Sequence, residues 1–544
     1  MNLLLSILSY ARADVLIVCL GIAFLLYWIG LWALHVISIC YGYCIFHRGK
    51  SRQQLNANSI DRSLLPGVSI IKPLTGVDPN LLNNLESFFQ LDYPKFELLF
   101  CVHTPNDPSL NVVRTLLDKY PSVAGRCRIF TEADNVGLNP KINNMMPAYR
   151  AAQYDFVLIS DATLRMKHDT LTDMVLTMRD DVAIVTQMPY ACDRAGFAAT
   201  LEKVYFGTWH ARMYLVADFF RITCSTGMSS LIRKRALDDV GGMHVHGCYL
   251  AEDFFFARHV SRNGWSTALA TQPAWQNGGD LDVGKFRERM ERWCKLRQAM
   301  LPHIIILEPL QDCMLLGLCA SWAANLLFGW NSLVFFLVHV LVWMLLDWVL
   351  LLVIQDGPLP FGKFEFVVSW LYRECVALPV FIRALVNPVI QWRTDGPFRL
   401  RWGGMVERVD SGRIGTSPVH KKRPMMMMVV DGDVSQSDDQ MMMSFGASAL
   451  PEKQPVLSDT SLSTTTAKTA VSNKSLSLPK TITPSSSCMR RETSPDHAFL
   501  ISSHSMTNNN VLNKTPLKHQ SAPAASQSAT ATMFVRTPTV CTSQ

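Results

Sequence analysis

From residue 15 to residue 46 the chain is almost unbroken apolar, VLIVCLGIAFLLYWIGLWALHVISICYGYCIF, longer than the ~20 residues that carry a helix across a bilayer. The run exceeds the ~7–15 residue core of a secretory signal, and no small-x-small cleavage site follows promptly, so it predicts a retained anchor over residues 1–47. Arg48, Lys50 and Arg52 come next, and Arg12 is the only strong base before the span. The positive-inside rule then places the following segment in the cytosol. From about 55 to 300 the pattern changes to short apolar runs alternating with helical periodicity. Strands are expected at 68–71, 98–102, 128–130, 156–159 and 183–186, with helices at 81–89, 110–119, 142–151 and 171–178 between them. This alternation predicts an α/β domain with a largely parallel sheet, bounded at 48–303. The stretch 213–232 is moderately apolar but holds Asp218, Arg221 and a run of Ser, Thr and Gly; it reads as buried core and not as a span.

Apolar density returns after Pro302. Residues 310–328 and 333–354 are each long enough to cross, joined by the short GWN link of a helical hairpin. A third candidate, 366–386, carries Arg373 and Glu374, whose charges are expensive in lipid and favour a re-entrant helix or one packed with the two charges facing each other. The basic residues Arg393, Arg399 and Arg401 follow, and membrane helices are expected to occupy 304–404. From 405 to 544 the chain is rich in Ser, Thr, Asn, Gln and Pro, with methionine runs at 425–428 and 441–443. Such a segment buries too little to offset ~1–2 kcal/mol of backbone entropy per residue, and disorder is expected there.

Composition sharpens this picture only in places. The 544 residues are 49% hydrophobic and carry a net charge of +7. The basic residues cluster beside apolar blocks or in the tail, which points to headgroup contacts and topology signals and to no nucleic-acid partner. The 14 cysteines are scattered without paired CxxC clusters, so neither a zinc site nor a disulfide framework is expected. Cys40 and Cys44 are spaced for palmitoylation, although buried thiols are the favoured reading.

In a parallel α/β sheet the ligand lies at the carboxyl ends of the strands. Lys72-Pro73 follows the first expected strand, Asp107 the second and Asp161 the fourth, so one crevice accommodates all three. Asp161-Ala-Thr has a single carboxylate where many nucleotide-sugar transferases have Asp-x-Asp. One Asp still suffices for Mg²⁺ or Mn²⁺ when the ion also takes waters and diphosphate oxygens; a helix cap is the plainer alternative. Asp253, after Glu252 and before three phenylalanines, sits where desolvation raises a carboxylate toward the range of a useful base. On the helical stretch 285–300, Arg289, Arg292 and Trp293 share a face, offering two guanidinium forks to phosphate and an indole to wall a sugar or acceptor pocket.

The order of three Asp motifs followed by Arg-x-x-Arg-Trp resembles family 2-type glycosyltransferases. The strings KPLTGVDPNLLNNLESFFQLDYPKFELLFCV, NPKINNMMPAY, DTLTDMV, GFAATLEKVYFGT and RWCKLRQAMLP resemble the ceramide glucosyltransferase branch, from about 68 to 404. The resemblance implies a GT-A fold, a Golgi membrane location with the catalytic domain facing the cytosol, UDP-glucose as donor and membrane ceramide as acceptor, and an inverting transfer to the primary hydroxyl. It implies Asp253 as proton acceptor, with Asp107 and Asp161 as the earlier Asp motifs and Asp161 on the divalent cation. Arg289, Arg292, Trp293, Lys141 and His210 are the implied substrate-binding residues, and His210 and Cys224 fall at positions tied to inhibitor sensitivity. Another lipid- or polysaccharide-directed transferase of this superfamily, or an inactive lipid-binding relative, is the alternative.

Overall fold

The structure is a computed structural model and describes residues 2–279, 281–392 and 396–409. Ten strands build the central part: β1 (Val68–Pro73), β2 (Phe96–Cys101), β3 (Cys127–Phe130), β4 (Phe156–Ser160), β5 (Leu164–Arg165), β6 (Val182–Thr186), β7 (Pro189–Ala191), β8 (Ser229–Arg233), β9 (Ser266–Leu269) and β10 (Ala274–Gln276). Seven form one sheet in the order β3-β2-β1-β4-β8-β6-β9, and β5-β10-β7 form a small second one. Every residue of β2, β4, β6 and β8 is buried, which is why β2, β4 and β6 read as near-continuous apolar runs and not as alternating ones.

The pairings β1–β2, β1–β4, β2–β3 and β6–β9 are parallel, whereas β8 runs antiparallel between β4 and β6. This strand, SSLIR, lies mostly inside the stretch read as buried core, and it is buried throughout. The same stretch begins within the helix Ala211–Phe219, and neither element spans a membrane. Because β1 sits between β2 and β4, the strand order reverses there, and a crevice opens at their carboxyl ends.

Among the described residues two helices are long and apolar enough to cross a membrane, Asp14–Ala57 and Ser332–Gln355. The first continues past the expected anchor boundary at 47 through a π-helical turn, Cys44–Gly49, into Lys50–Ser59. Cys40 and Cys44 are exposed on it and not buried. The expected crossing at 310–328 is broken: Ile304–Gln311 and Cys313–Phe328 meet at 87°. The third candidate forms a helix, Lys363–Val386, but it packs along Phe197–Tyr205 and Val283–Met300 of the α/β region. Its Arg373 and Glu374 are buried and bonded to each other.

Residues expected to be membrane helix and the start of the tail instead form a three-stranded antiparallel sheet, β11 (Val389–Trp392), β12 (Gly396–Leu400) and β13 (Val406–Arg408). Ile390, Phe398, Leu400 and Val406 bury themselves against Leu250 and Leu296, so apolar packing, invisible in the short local pattern, extends the ordered chain past 405. Arg393 and the tail beyond 409 lie outside the described residues.

One buried acid ties these parts together. Asp347, on the Ser332–Gln355 helix, is fully buried and lies 3.2 Å from His35 on the anchor, 3.2 Å from Arg212 and 3.1 Å from Arg373, and accepts a 2.8 Å hydrogen bond from Trp370. A carboxylate out of water needs such partners. Arg373 also donates to Thr208, in the π-helical turn Phe206–His210.

Candidate active site

The crevice is organised by a lysine. Asn139 caps the helix Pro140–Ala151, its side chain accepting from the backbone N–H groups of Lys141 and Ile142, and Pro140 supplies the preset first turn. Lys141 is thereby aimed inward. Its Nζ lies 2.9 Å from Asp161 Oδ1 and 3.0 Å from Glu252 Oε1, and donates to the Gly227 carbonyl at 2.7 Å. Burial alone would depress this ammonium, but Asp161 and Glu252 outweigh it and hold the pKa above the usual lysine value. Asp161 leaves the end of β4 with its backbone N–H bonded to the Met228 carbonyl at 2.9 Å.

Asp253 occupies the first turn of the helix Glu252–Arg262. Desolvation, reinforced by the charge of Glu252, pushes its carboxyl up to about 7 against the opposing pull of Lys141 and of backbone N–H groups. A carboxylate poised there works as a base near neutral pH. Gly227 is what lets the cluster close: a Cβ at that position would meet Lys141 Nζ at 3.0 Å, Glu252 Oε1 at 3.2 Å and Asp253 Cγ at 3.6 Å.

Behind Asp161, Lys72 from β1 is fully buried, donating to the Asp161 carbonyl at 2.7 Å and to Ser160 Oγ at 3.2 Å, with its Nζ 3.8 Å from the Phe88 ring centre. Burial lowers its pKa to about 7, with Asp161 pulling the other way.

The helix Val283–Met300 brings the second half of the site. Arg289 donates to Glu202 at 3.0 Å and to Gln276 at 2.5 Å, and its guanidinium carbon stands 4.6 Å from the Trp293 ring centre. Burial lowers the pKa of this guanidinium, with Glu202, Tyr205 and Asp161 pulling the other way. Arg292 is half-buried one turn further on. His210 lies in an aromatic cluster, 5.8 Å from Trp293 and 4.8 Å from Tyr214 between ring centres. Burial, with Arg297 and Arg289 adding to it, drives its pKa well below the usual histidine value, so the ring is neutral. Cys224, half-buried, sits close enough to Asp253 and Tyr214 to feel both, and burial first and then Asp253 raise its thiol to about 12.

Asp107 stands apart from this cluster. Its carboxylate accepts from the Gly76 N–H at 3.1 Å and from the Ser109 N–H and hydroxyl at 2.9 and 2.6 Å. These bonds outweigh burial and hold its pKa below the usual value. It follows β2, with β1 between that strand and β4, and its carboxylate is held at the loop after β1. Thus Lys141, Asp161 and Asp253 converge, Arg289, Trp293 and His210 form an adjoining wall, and Asp107 lies outside that cluster. The sequence reading missed Glu202, buried and bonded to both Arg289 and Arg194. The available signal was a carboxylate inside the apolar helical run FAATLEKVY, since buried acids require partners.

A divalent ion is compatible with this donor set in one way. Among the described residues no three His, Cys, Asp or Glu side chains form a group able to hold a metal, but an ion shared with diphosphate oxygens and waters needs only one or two carboxylates. Asp161, at the crevice, meets that requirement.

An α/β domain with carboxylates at the sheet's carboxyl edge and a guanidinium–indole wall beside them suits a transferase that handles a charged diphosphate leaving group. The chain belongs to Glycosyl transferase family 21, which it matches over residues 30–406; it is a membrane-associated glycosyltransferase with an α/β catalytic domain. It is 45% identical to ceramide glucosyltransferase 3 of Caenorhabditis elegans over 378 residues, 69% of this chain and 80% of that one. It is 46% identical to ceramide glucosyltransferase 1 of the same organism over 372 residues, 68% and 78% of the two chains. A ceramide glucosyltransferase of Komagataella phaffii is 28% identical over 419 residues, 61% and 82%. Among solved structures, a mannosyltransferase of Pyrobaculum calidifontis in complex with GDP-Man and Mn²⁺ covers 65% of this chain and 99% of its own at 16% identity, with a TM-score of 0.35.

Proposed function

We propose that this chain transfers glucose from UDP-glucose to the primary hydroxyl of ceramide with inversion, giving β-glucosylceramide, in the Golgi membrane with its catalytic domain facing the cytosol. The observation that carries the reading is the approach of Asp161, Lys141 and Asp253 to one another beside the Arg289–Trp293 wall, in a chain whose similar relatives are named ceramide glucosyltransferases.

Asp253 takes the proton from the acceptor hydroxyl. The hydroxyl oxygen forms a bond to the anomeric carbon on the face opposite the nucleotide, and the bond from that carbon to the β-phosphate oxygen breaks, its electron pair leaving with UDP. Lys141 and Arg289, with Arg292, meet the charge that collects on the departing diphosphate. Arg289 is held for this by Glu202 and Gln276. Asp161 would hold Mg²⁺ or Mn²⁺, which when bound supplies further electrostatic stabilisation of the diphosphate. Asp107 serves the nucleoside end of the crevice. Trp293 and neutral His210 wall the acceptor side.

Ceramide bears two long hydrocarbon chains, and at ~0.8 kcal/mol per buried methylene its extraction into water is prohibitive. A catalytic domain fixed to membrane helices brings the site to the lipid. The test is incubation of membranes holding the protein with fluorescent ceramide and either UDP-glucose or UDP-galactose. Glucosylated product from UDP-glucose is expected; a correctly inserted protein that makes none removes the reading.

A further inference from the structure

We infer that a cavity between the helices Phe197–Tyr205, Val283–Met300 and Lys363–Val386 holds a short segment of one hydrocarbon chain of the acceptor lipid during transfer. This rests on the lipid-acceptor reading above and gives the acceptor a specific place.

The cavity, about 80 Å³, is lined chiefly by apolar side chains, among them Leu201, Phe286, Met290, Val376, Ala377 and Phe381. Of the charged residues at its border, Arg297 bonds Glu308 and Arg373 bonds Glu374 and Asp347, while Arg287 and Asp312 also reach its edge. The surface facing the space is nevertheless mostly hydrocarbon. An apolar cavity of about 150 Å³ stays dry and accepts one small hydrocarbon, so this smaller space has room for only a few methylenes.

Two relationships commit the space to the acceptor. The first is continuity with the transfer site. Phe286, Met290 and Cys294 lie on the face of the Val283–Met300 helix next to the one carrying Arg289 and Trp293, since four-residue steps advance only ~40° around the helix. Tyr205, which also lines the cavity, packs against Phe286 and against His210 at 5.6 and 5.7 Å between ring centres, and His210 packs against Trp293. An aromatic path thus runs from the guanidinium of Arg289 to the cavity.

The second relationship is continuity with a lipid-grade surface. Ile305 packs against Phe381, which lines the cavity, and Ile306 beside it on the Ile304–Leu307 helix is 71% exposed. Exposed apolar side chains at such a rim mark contact with a membrane or an apolar ligand. A chain leaving the bilayer past Ile306 reaches the cavity at Phe381, with its headgroup end directed at the Arg289–Trp293 wall.

The experiment uses the full chain in membranes, with ceramides shortened in one chain at a time and Ala377→Phe and Phe381→Ala as variants. Filling the cavity with Ala377→Phe is expected to raise KM for a long-chain ceramide about tenfold, the equivalent of roughly two methylenes kept in water. KM for the ceramide shortened in the accommodated chain, and KM for UDP-glucose, should stay near wild type. Phe381→Ala should shift preference toward longer or bulkier chains. Equal effects on all acceptor lengths, or none, overturn the inference. A photoreactive ceramide labelled at a chain terminus should crosslink to the 197–205, 283–300 or 363–386 segments of the wild-type protein, and adducts confined to other segments overturn it independently of activity. If wild type glucosylates no ceramide at all, the failure lies with the function and not with the cavity.

Discussion

Lys141 holds Asp161 at 2.9 Å while reaching Glu252 with the same ammonium, so one cation links the strand that carries the second Asp motif to the helix that carries the third. Removing it should disturb both electrostatics and position. Lys141→Met withdraws the positive charge that opposes protonation of Asp253. The acidic limb of kcat/KM against pH, expected near 7 in the wild type because the base must be deprotonated, should then move to higher pH. A limb that stays in place in the variant means that Lys141 does not tune Asp253.

Asp253→Asn keeps size and removes the base. General-base catalysis contributes about 10²–10⁴-fold, so kcat should fall by that order while UDP-glucose affinity, measured by calorimetry, is retained. Turnover equal to wild type would assign the proton to another group.

Arg289→Lys replaces a fork shared between Glu202 and Gln276 by a point charge. Charged hydrogen bonds of this kind are worth about 1.5–3 kcal/mol, and kcat/KM for the donor should drop roughly 10–100-fold. Glu202→Gln, which frees Arg289 without touching the substrate, should show a smaller loss in the same parameter. If Glu202→Gln matches wild type, the pair is not a positioning device.

Chelation tests Asp161. EDTA should lower turnover, and Mg²⁺ or Mn²⁺ should restore it in the wild type but poorly in Asp161→Asn; activity indifferent to chelator removes the metal from the mechanism.

Lys72 gives a stability prediction with a definite sign. Its folded-state value near 7 lies below the ordinary lysine value of 10.5, so between those limits the unfolded chain binds more protons and stability rises with pH. Thermal unfolding in detergent at pH 7, 8.5 and 10 should show this rise, and Lys72→Met should flatten it. Identical slopes in both proteins would mean that the buried ammonium is paired well enough to stay charged.

The legible parts of the sequence were those with strong local signals. β1, β2, β4 and β6 are fully or almost fully buried and wrote themselves as apolar runs, and the anchor and the Ser332–Gln355 helix did so by length. Asp161, Asp253 and Arg289 stood out because charged residues at strand ends or beside apolar runs demand a reason. β8 was lost because its serines, which bond to Gln187 and Thr186 in the core, look polar in one dimension. Glu202 and Asp347 were hidden for the complementary reason: their partners lie far along the chain, and only folding supplies them. The small sheet from Val389 to Arg408 escaped because its apolar face is three short strands wide and completed by Leu250 and Leu296.

The knot at Asp347 bears on how this enzyme can be handled. Three cationic or imidazole side chains from the anchor, the catalytic region and the Lys363–Val386 helix converge on that single acid. Trimming away the first sixty residues and the terminal hairpin, a common route to water-soluble fragments of anchored enzymes, would strand Arg212 without its counter-ion inside an apolar wall. For this molecule the bilayer-embedded helices are interior to the working unit, and purification has to carry them along.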